Sequence, residues 1–337
     1  MTAPKGDKTV VGRLRLYLVR HGESEANKRG VFAGQLDSPL TKRGVNDAKS
    51  LGERSQLLIL QPPAQPQGAA TVVKNQEDEN SIPFDLVFSS DLERAHDTCK
   101  LILEGLQTRK RNDANNRTEN DTDRTTKNIS SLTETINLDK RLRERSYGTL
   151  QGMPWNSDRT VTDKLWRDTH QKDDLPPTYE SDDDIWKRVK SFLRNLVVDE
   201  LMTASTKTKQ QLNRNELVQT QTLSSEIPTK HILITSHAGV LRQLLIRLVG
   251  VDKLENLGAK FDAKRKNRLI IPNVSLTILE LSLRCEQQDA CSGKYETQNS
   301  FGVGKGDDND VLEGIQADVI TYANTDHLES EGRIHDD

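Results

Sequence analysis

Apolar residues recur along this chain in short blocks, and within each block the spacing follows either the strand period of two or the helical period of about 3.6. Leu14, Leu16, Leu18 and Val19 form a short apolar strand that stops abruptly at Arg20-His21-Gly22. Thr41 sits where a helix cap belongs, ahead of Val45, Ala48 and Leu51 at helical spacing. A second strand is predicted from Phe84 to Ser90, followed by a helix whose inward stripe is Leu92, Ala95, Cys99 and Ile102. A helix from Asp183 to Leu201 carries Ile185, Val189, Phe192 and Leu196 on one face. His231 to Ser236 is almost continuously apolar, as a strand buried on both faces should be. The helix after it, Gly239 to Val249, closes at Gly250. Residues 269–283 read as a fourth strand region broken by Pro272, with DVITYANTDHL as its candidate hairpin partner.

Four stretches show neither period: about 61–82, 107–133, 203–229 and 286–314. They are rich in polar residues and are read as disordered insertions, with flexible tails at 1–11 and 329–337. The remainder alternates strand with helix. The expected fold class is α/β: a three-layer sandwich around a mostly parallel sheet, one domain over 12–328 with long polar insertions.

Composition agrees with that division. Hydrophobic residues make up 33% of the 337, below the roughly 45–50% of ordinary globular chains, as polar insertions around a normal core require. Lys plus Arg is 48 and Asp plus Glu is 51, a net charge of −3, which argues against a chain-wide electrostatic grip on nucleic acid or membrane. No apolar run approaches a membrane span, and Arg13 and Arg15 interrupt the only one near the start, so no signal peptide is read there. Cys99, Cys285 and Cys291 give neither a disulfide framework nor a metal-ligand spacing. The expectation is a cytoplasmic chain acting on a small molecule, with no partner among nucleic acids or membranes.

The candidate chemistry sits where the strands end, which is where open α/β sheets bind ligands. Strand one ends in Arg20-His21-Gly22-Glu23-Ser24, strand two in Ser89-Ser90 with Arg94 one turn on, and strand three in Ser236-His237-Ala238-Gly239. Two histidines and two arginines beside helix N-termini suit a dianion. Glu144, inside Arg143-Glu144-Arg145-Ser146-Tyr147-Gly148, is the acid such a site needs, and its neighbours Arg143 and Arg145 are expected to lower its pKa. Taken singly, each of these residues has a plainer reading as a surface ion pair, a strand-end histidine or solvated charge. A two-histidine, one-carboxylate metal site is a further reading of His21, His237 and Glu144, but adjoining arginines repel a cation.

The segments LYLVRHGESEAN, DSPLTKRG, FDLVFSSDLERAHDT, LRERSYGTLQG, YESDDDIWKRV, ITSHAGVLRQLL, IPNVSLTILEL and ANTDHL resemble, in order, those of the histidine phosphatase superfamily. That superfamily includes cofactor-dependent phosphoglycerate mutases and fructose-2,6-bisphosphatase-like enzymes. The resemblance implies the phosphoglycerate mutase-like sandwich and a metal-free, cofactor-free reaction through phosphohistidine. It implies His21 as nucleophile, with Arg20, Arg94 and His237 clamping the phosphoryl oxygens and Glu144 as general acid and base. It also implies a substrate side lined by Gly22, Ser24, Asn27, Gly34, Gln35, Tyr147 and Ala238.

Two details lean towards a phosphatase acting on small phosphoesters such as sugar phosphates or bisphosphates. Trp155 stands where the mutases carry a lysine, and Tyr179-Glu180-Ser181 with Arg188 has the spacing of a motif in the phosphatase branch. A mutase remains the alternative, as does a relative that binds partners without catalysis.

Overall fold

The structure is a computed structural model that describes residues 8–54, 84–115, 135–170, 177–202, 229–263, 268–286, 312 and 315–331. Its strands are β1 (Lys8–Arg20), β2 (Leu86–Ser89), β3 (Ile136–Leu138), β4 (Thr229–Ser236), β5 (Phe261–Asp262), β6 (Arg268–Leu269), β7 (Leu276–Glu286) and β8 (Ile315–Asn324). Its helices are α1 (Glu25–Arg29), α2 (Lys42–Arg54), α3 (Glu93–Asn115), α4 (Arg159–Thr169), α5 (Asp182–Val197), α6 (Ala238–Val249) and α7 (Val251–Asn256).

Six strands form one sheet in the order β3-β2-β4-β1-β7-β8. The first four run parallel, while β7 pairs antiparallel with β1, and β8 antiparallel with β7. The period of two decides the layers. Leu14, Leu16 and Leu18 of β1 face one side, with Ile232 and Ile234 of β4, and are covered by Ile185, Val189 and Phe192 of α5 and Val240, Leu241 and Leu244 of α6. Tyr17 and Val19 face the other, with Leu233, and are covered by Leu51 of α2 and Cys99, Ile102 and Leu103 of α3. β1 and β4 are therefore apolar on both faces, as centre strands of a parallel sheet must be. The fold is the expected α/β sandwich.

The local signals behave as chemistry dictates. Thr41 caps α2, its hydroxyl accepting from the Gly44 N–H at 3.1 Å. Ser181 caps α5 in a reciprocal box with Asp184. Gly250 ends α6, and residues 315–324 are the hairpin partner of β7.

Several boundaries differ from those read in the sequence. Residues 107–115 continue α3: QTRKRNDAN lacks an apolar stripe, but its Gln, Arg and Lys are good helix formers, and extending an existing helix is far easier than starting one. Residues 8–11, assigned to a tail, lie in β1, where ladder pairing with β7 extends the strand; Lys8 pairs with Glu286. Thr229 and Glu286 likewise belong to strands, and 329–331 to a short 3-10 turn. β3 and α4 had no prediction; β3 has three residues, with only Ile136 buried, too few to show a period. The rest of the four insertions, 61–82, 116–133, 203–228, 287–311 and 313–314, lies outside the residues described. Among the described residues no helix is long and apolar enough to cross a membrane.

His327 gives the fold a measurable acid sensitivity. It is 5% exposed, and among the described residues neither ring nitrogen has a hydrogen-bond partner. Burial depresses its pKa to about 4, with the Asp326 charge opposing and Arg54 assisting. The unfolded chain takes up this proton near 6.5, so stability is lost as pH falls through the window between 6.5 and about 4. The expected loss from this residue is on the order of 2 kcal/mol between pH 7 and pH 5. Denaturant titrations at the two pH values check it: His327→Phe should flatten the dependence by about that amount, and an unchanged slope would refute the assignment.

Candidate active site

The parallel register sets Arg20 of β1 beside Ser236 of β4, and Ser89 of β2 beside Thr235, so three strand ends lie level. His21 follows β1, Arg94 is in the first turn of α3, and His237 is the N-cap residue of α6. The backbone around the first histidine is pinned: its N–H donates to the Ser236 carbonyl at 2.9 Å, and Asn273 Nδ2 donates to its carbonyl at 2.8 Å. Gly22 N–H donates to Thr98 Oγ1 at 2.9 Å.

His21 is 4% exposed, and its Nδ1 lies 2.7 Å from the Gly22 carbonyl. A carbonyl only accepts, so Nδ1 carries the hydrogen and Nε2 presents its lone pair. Burial first, then the Arg94 and Arg20 charges, hold its pKa well below the ordinary histidine value despite the Gly22 hydrogen bond. The ring is neutral at neutral pH. The His237 ring lies with its centroid 5.0 Å away, fully buried, and its pKa is depressed by burial and by Arg94 and His21. His237 Nε2 is 2.9 Å from Ser90 Oγ, which itself accepts from Leu92 N–H. The Ser90 hydroxyl has a second lone pair and a hydrogen for Nε2, and the other ring nitrogen, Nδ1, is buried with no partner among the described residues.

Arg94 is 1% exposed and ties down the loop opposite, donating to the Gly34 carbonyl at 2.6 Å and the Leu36 carbonyl at 2.9 Å. Arg20 donates to the Ile271 carbonyl at 2.6 Å, while its Nε is buried without a partner among the described residues. Burial lowers the Arg20 pKa to about 10, and Glu144 works the other way.

Glu144 arrives on a segment with no regular structure, held by its backbone. Its carbonyl accepts from Gln35 Nε2 and from Arg188 Nη2, both at 3.2 Å, and Ser236 Oγ bonds the Leu142 carbonyl at 2.8 Å. Its carboxylate accepts from Arg145 N–H at 2.8 Å and from Gly239 N–H at 3.3 Å. A Cβ on Gly239 would collide with that carboxylate, so the first turn of α6 must have glycine there. Burial pushes the Glu144 pKa up, but the Arg145 amide, the Arg268 and Arg242 charges and the Gly239 amide outweigh it, and the net pKa is lowered.

The cause differs from the one read in the sequence. The side chains of Arg143 and Arg145 are engaged elsewhere: Arg143 forks onto Asp91 at 2.7 Å, and Arg145 pairs with Asp182 and the Glu180 carbonyl. The α6 amide also serves Glu144, where the sequence suggested an oxyanion.

Among the expected substrate-side residues, Gly34 and Gln35 do border the site. Gly34 has φ of +56°, and any side chain there would run into Gln151, whose amide accepts from Gln35 N–H at 2.8 Å. Tyr147 is partly buried, its ring 4.8 Å from Phe32 and its hydroxyl 3.4 Å from Arg268 Nη2. Gly22 and Ala238 flank the two histidines and contribute no side-chain polar group. Ser24 is different: it is 0% exposed and its hydroxyl is used in the α1 capping box with Asn27, whose Oδ1 accepts in return. Its role here is to shape the turn, because a buried hydroxyl is satisfied by the nearest amide.

Two arginines at the site went unread in the sequence. Arg242 is 8% exposed and follows His237 by five residues on α6. An arginine inside the apolar run AGVLRQLLIRLV was the available signal. Arg268 begins β6, where it pairs with Asp262 of β5, and nothing marks it among the basic residues around it. Among the described residues no three His, Cys, Asp or Glu side chains gather as a metal site.

The family model described as histidine phosphatase superfamily (branch 1) matches residues 16–63 and 121–203. A 2,3-bisphosphoglycerate-dependent phosphoglycerate mutase of Rhizobium etli is 34% identical over 191 residues, 56% of this chain and 69% of that protein. The chain belongs to the histidine phosphatase superfamily. Within it, relatives carry both kinds of activity. A phosphoglycerate mutase of Schizosaccharomyces pombe is 27% identical over 70% of this chain and 80% of its own length. An adenosylcobalamin/alpha-ribazole phosphatase of Salmonella typhi is 38% identical over 28% of this chain and 35% of its own length.

Proposed function

We propose that this superfamily member is a phosphomonoesterase of small phosphorylated metabolites, working through a phosphohistidine on His21. One observation carries the reading: two buried neutral histidines 5.0 Å apart, flanked by Arg20 and Arg94, face a buried carboxylate, Glu144. His21 Nε2 attacks phosphorus as the ester P–O bond breaks, and the leaving oxygen takes a proton from Glu144. Water then attacks phosphorus, the N–P bond breaks, and the water's proton passes to Glu144. The Arg20 and Arg94 guanidinium groups and the His237 ring stabilise the charge spread over the transferring oxygens. Sugar phosphates and bisphosphates, the substrates of fructose-2,6-bisphosphatase-like enzymes, are the first candidates. The near-balanced charge and sparse cysteines support a cytoplasmic setting.

Hydrolysis is favoured over transfer by Trp155, which stands where the mutases carry a lysine, and by the Glu180–Arg188 pair. Arg188 Nε meets Glu180 at 2.9 Å and Arg188 also holds the Arg141 and Glu144 carbonyls, which gives the YES…R spacing a physical purpose. A mutase is the second reading, favoured by the 80% coverage of the S. pombe relative. Phosphate release from sugar phosphates, phosphoglycerates and an aryl phosphate, in excess chelator, separates the two. Release that survives chelation supports the phosphatase. Isomerisation of phosphoglycerates on addition of a bisphosphate primer, without release, would replace it by the mutase.

A further inference from the structure

The Glu144 carboxyl is carried by irregular backbone, so its place at the site depends on what that backbone is tied to. Much of the tie comes from α5. Arg188, in the second turn of that helix, donates through Nη2 to the Glu144 carbonyl at 3.2 Å and through Nη1 to the Arg141 carbonyl at 2.7 Å. Glu180, just ahead of the Ser181 cap, receives the same guanidinium as a fork, Nε to Oε1 at 2.9 Å and Nη2 to Oε2 at 3.0 Å. Glu180 Oε2 also accepts from the Ser146 N–H at 2.8 Å, and the Glu180 N–H donates to the Ser146 carbonyl at 2.9 Å. The pair thus grips the chain on both sides of Glu144.

The grip is anchored to the core. Ser181 fixes the start of α5 through its box with Asp184, and Ile185, Val189 and Phe192 around Arg188 are buried among the residues that cover the sheet. The two charged side chains are 17% and 18% exposed, and a forked pair in that setting holds a geometry that an exposed ion pair does not. Arg188 is also among the charges that lower the His237 pKa, which sets its guanidinium close to the phosphoryl pocket.

We propose that Glu180 and Arg188 are positioning residues for proton transfer, which hold the Glu144 backbone so that its carboxyl meets the leaving oxygen. The inference rests on the reading of Glu144 as proton donor. A general acid works only within hydrogen-bond reach of the oxygen it protonates, and a displacement of about 1 Å costs rate steeply. The cost falls on esters whose leaving group needs the proton.

The readout is the ratio of kcat/KM on an alkyl phosphate to kcat/KM on an aryl phosphate, taken on one preparation. A partly unfolded sample, or a phosphoryl pocket disturbed through His237, lowers both values and leaves the ratio alone, so a merely structural role does not move it. The ratio should fall about tenfold in Arg188→Met and about threefold in Glu180→Gln. Arg188→Lys, which keeps the charge and a donor, should lie between Arg188→Met and the native protein. Added to Glu144→Gln, Arg188→Met should change the ratio by less than about twofold, because no acid is left to misplace. An unchanged ratio in Arg188→Met and Glu180→Gln, beside one that falls in Glu144→Gln, would overturn the positioning role alone. So would a fall of equal size with and without the Glu144 carboxyl. A native ratio in Glu144→Gln would overturn the general acid and its brace together.

Discussion

Alanine in place of His21 is expected to lower turnover by at least about 10⁴-fold and to abolish the phosphoenzyme, with the fold unchanged. The residue is held by its backbone, through Ser236 and Asn273, so the loop after β1 survives loss of the ring. Among the described residues, the ring's one hydrogen bond is to the Gly22 carbonyl next to it. What disappears is the Nε2 lone pair, and water is a poorer nucleophile for a phosphoryl group that the arginines still bind. Substrate affinity should therefore persist while turnover does not. Rapid quenching with labelled substrate checks it: label that is stable in alkali and lost in acid should appear on the native protein and be missing from His21→Ala. Labelling of the variant, or residual turnover above about 1%, would refute the nucleophile assignment.

Glu144→Gln should divide substrates by their leaving groups. The segment is held by the Glu144 carbonyl, which accepts from Gln35 and Arg188, so it stays in place; glutamine keeps one of the two oxygens that accept from the Arg145 and Gly239 amides and has no carboxylic proton to give. For alkyl phosphates the expected loss in kcat/KM is about 10²–10³-fold; for an aryl phosphate, whose phenolate leaves unaided, it is about tenfold or less. The ratio kcat/KM is the right readout because it reports the phosphorylation step, before water enters. Equal losses on both classes would refute the general acid.

The pH dependence follows with its sign. In the free protein the Glu144 pKa is lowered, because the Arg145 and Gly239 amides and Arg268 and Arg242 outweigh burial, so the group is ionised at neutral pH. It regains a proton as the bound phosphate adds negative charge beside it. The alkyl-phosphate kcat/KM should thus fall as pH rises from about 5 to 8, and the dependence should flatten in Glu144→Gln. His21, neutral to well below 6.5, does not limit the acid side of that range.

How much of this was legible beforehand depended on whether a feature is local. The apolar periods of β1, β4, α3, α5 and α6 were visible, because burial on a sheet face or helix stripe is written in consecutive residues. So were His21, Arg94 and His237, since the turn out of a parallel strand delivers its next residues to one edge of the sheet. Ser24 and Asn27 matched a motif, but the same two residues also make a capping box, and the motif alone does not say which use prevails.

The sequence by itself therefore determined the sandwich and the strand-end positions of the proposed nucleophile and most of its proposed clamp, because these rest on short-range pattern and on strand ends. Tertiary structure alone decided the rest. It set which cations act on Glu144, turning Arg143 and Arg145 onto Asp91, Asp182 and Glu180 and bringing Arg242 and Arg268 from positions about 100 and 120 residues away in the chain. Electrostatic partners are chosen by distance in space, and side chains adjacent in sequence at Arg143-Glu144-Arg145 point in different directions. That is why the acid was readable, its environment was not, and what the Glu180–Arg188 pair holds came to light only in three dimensions.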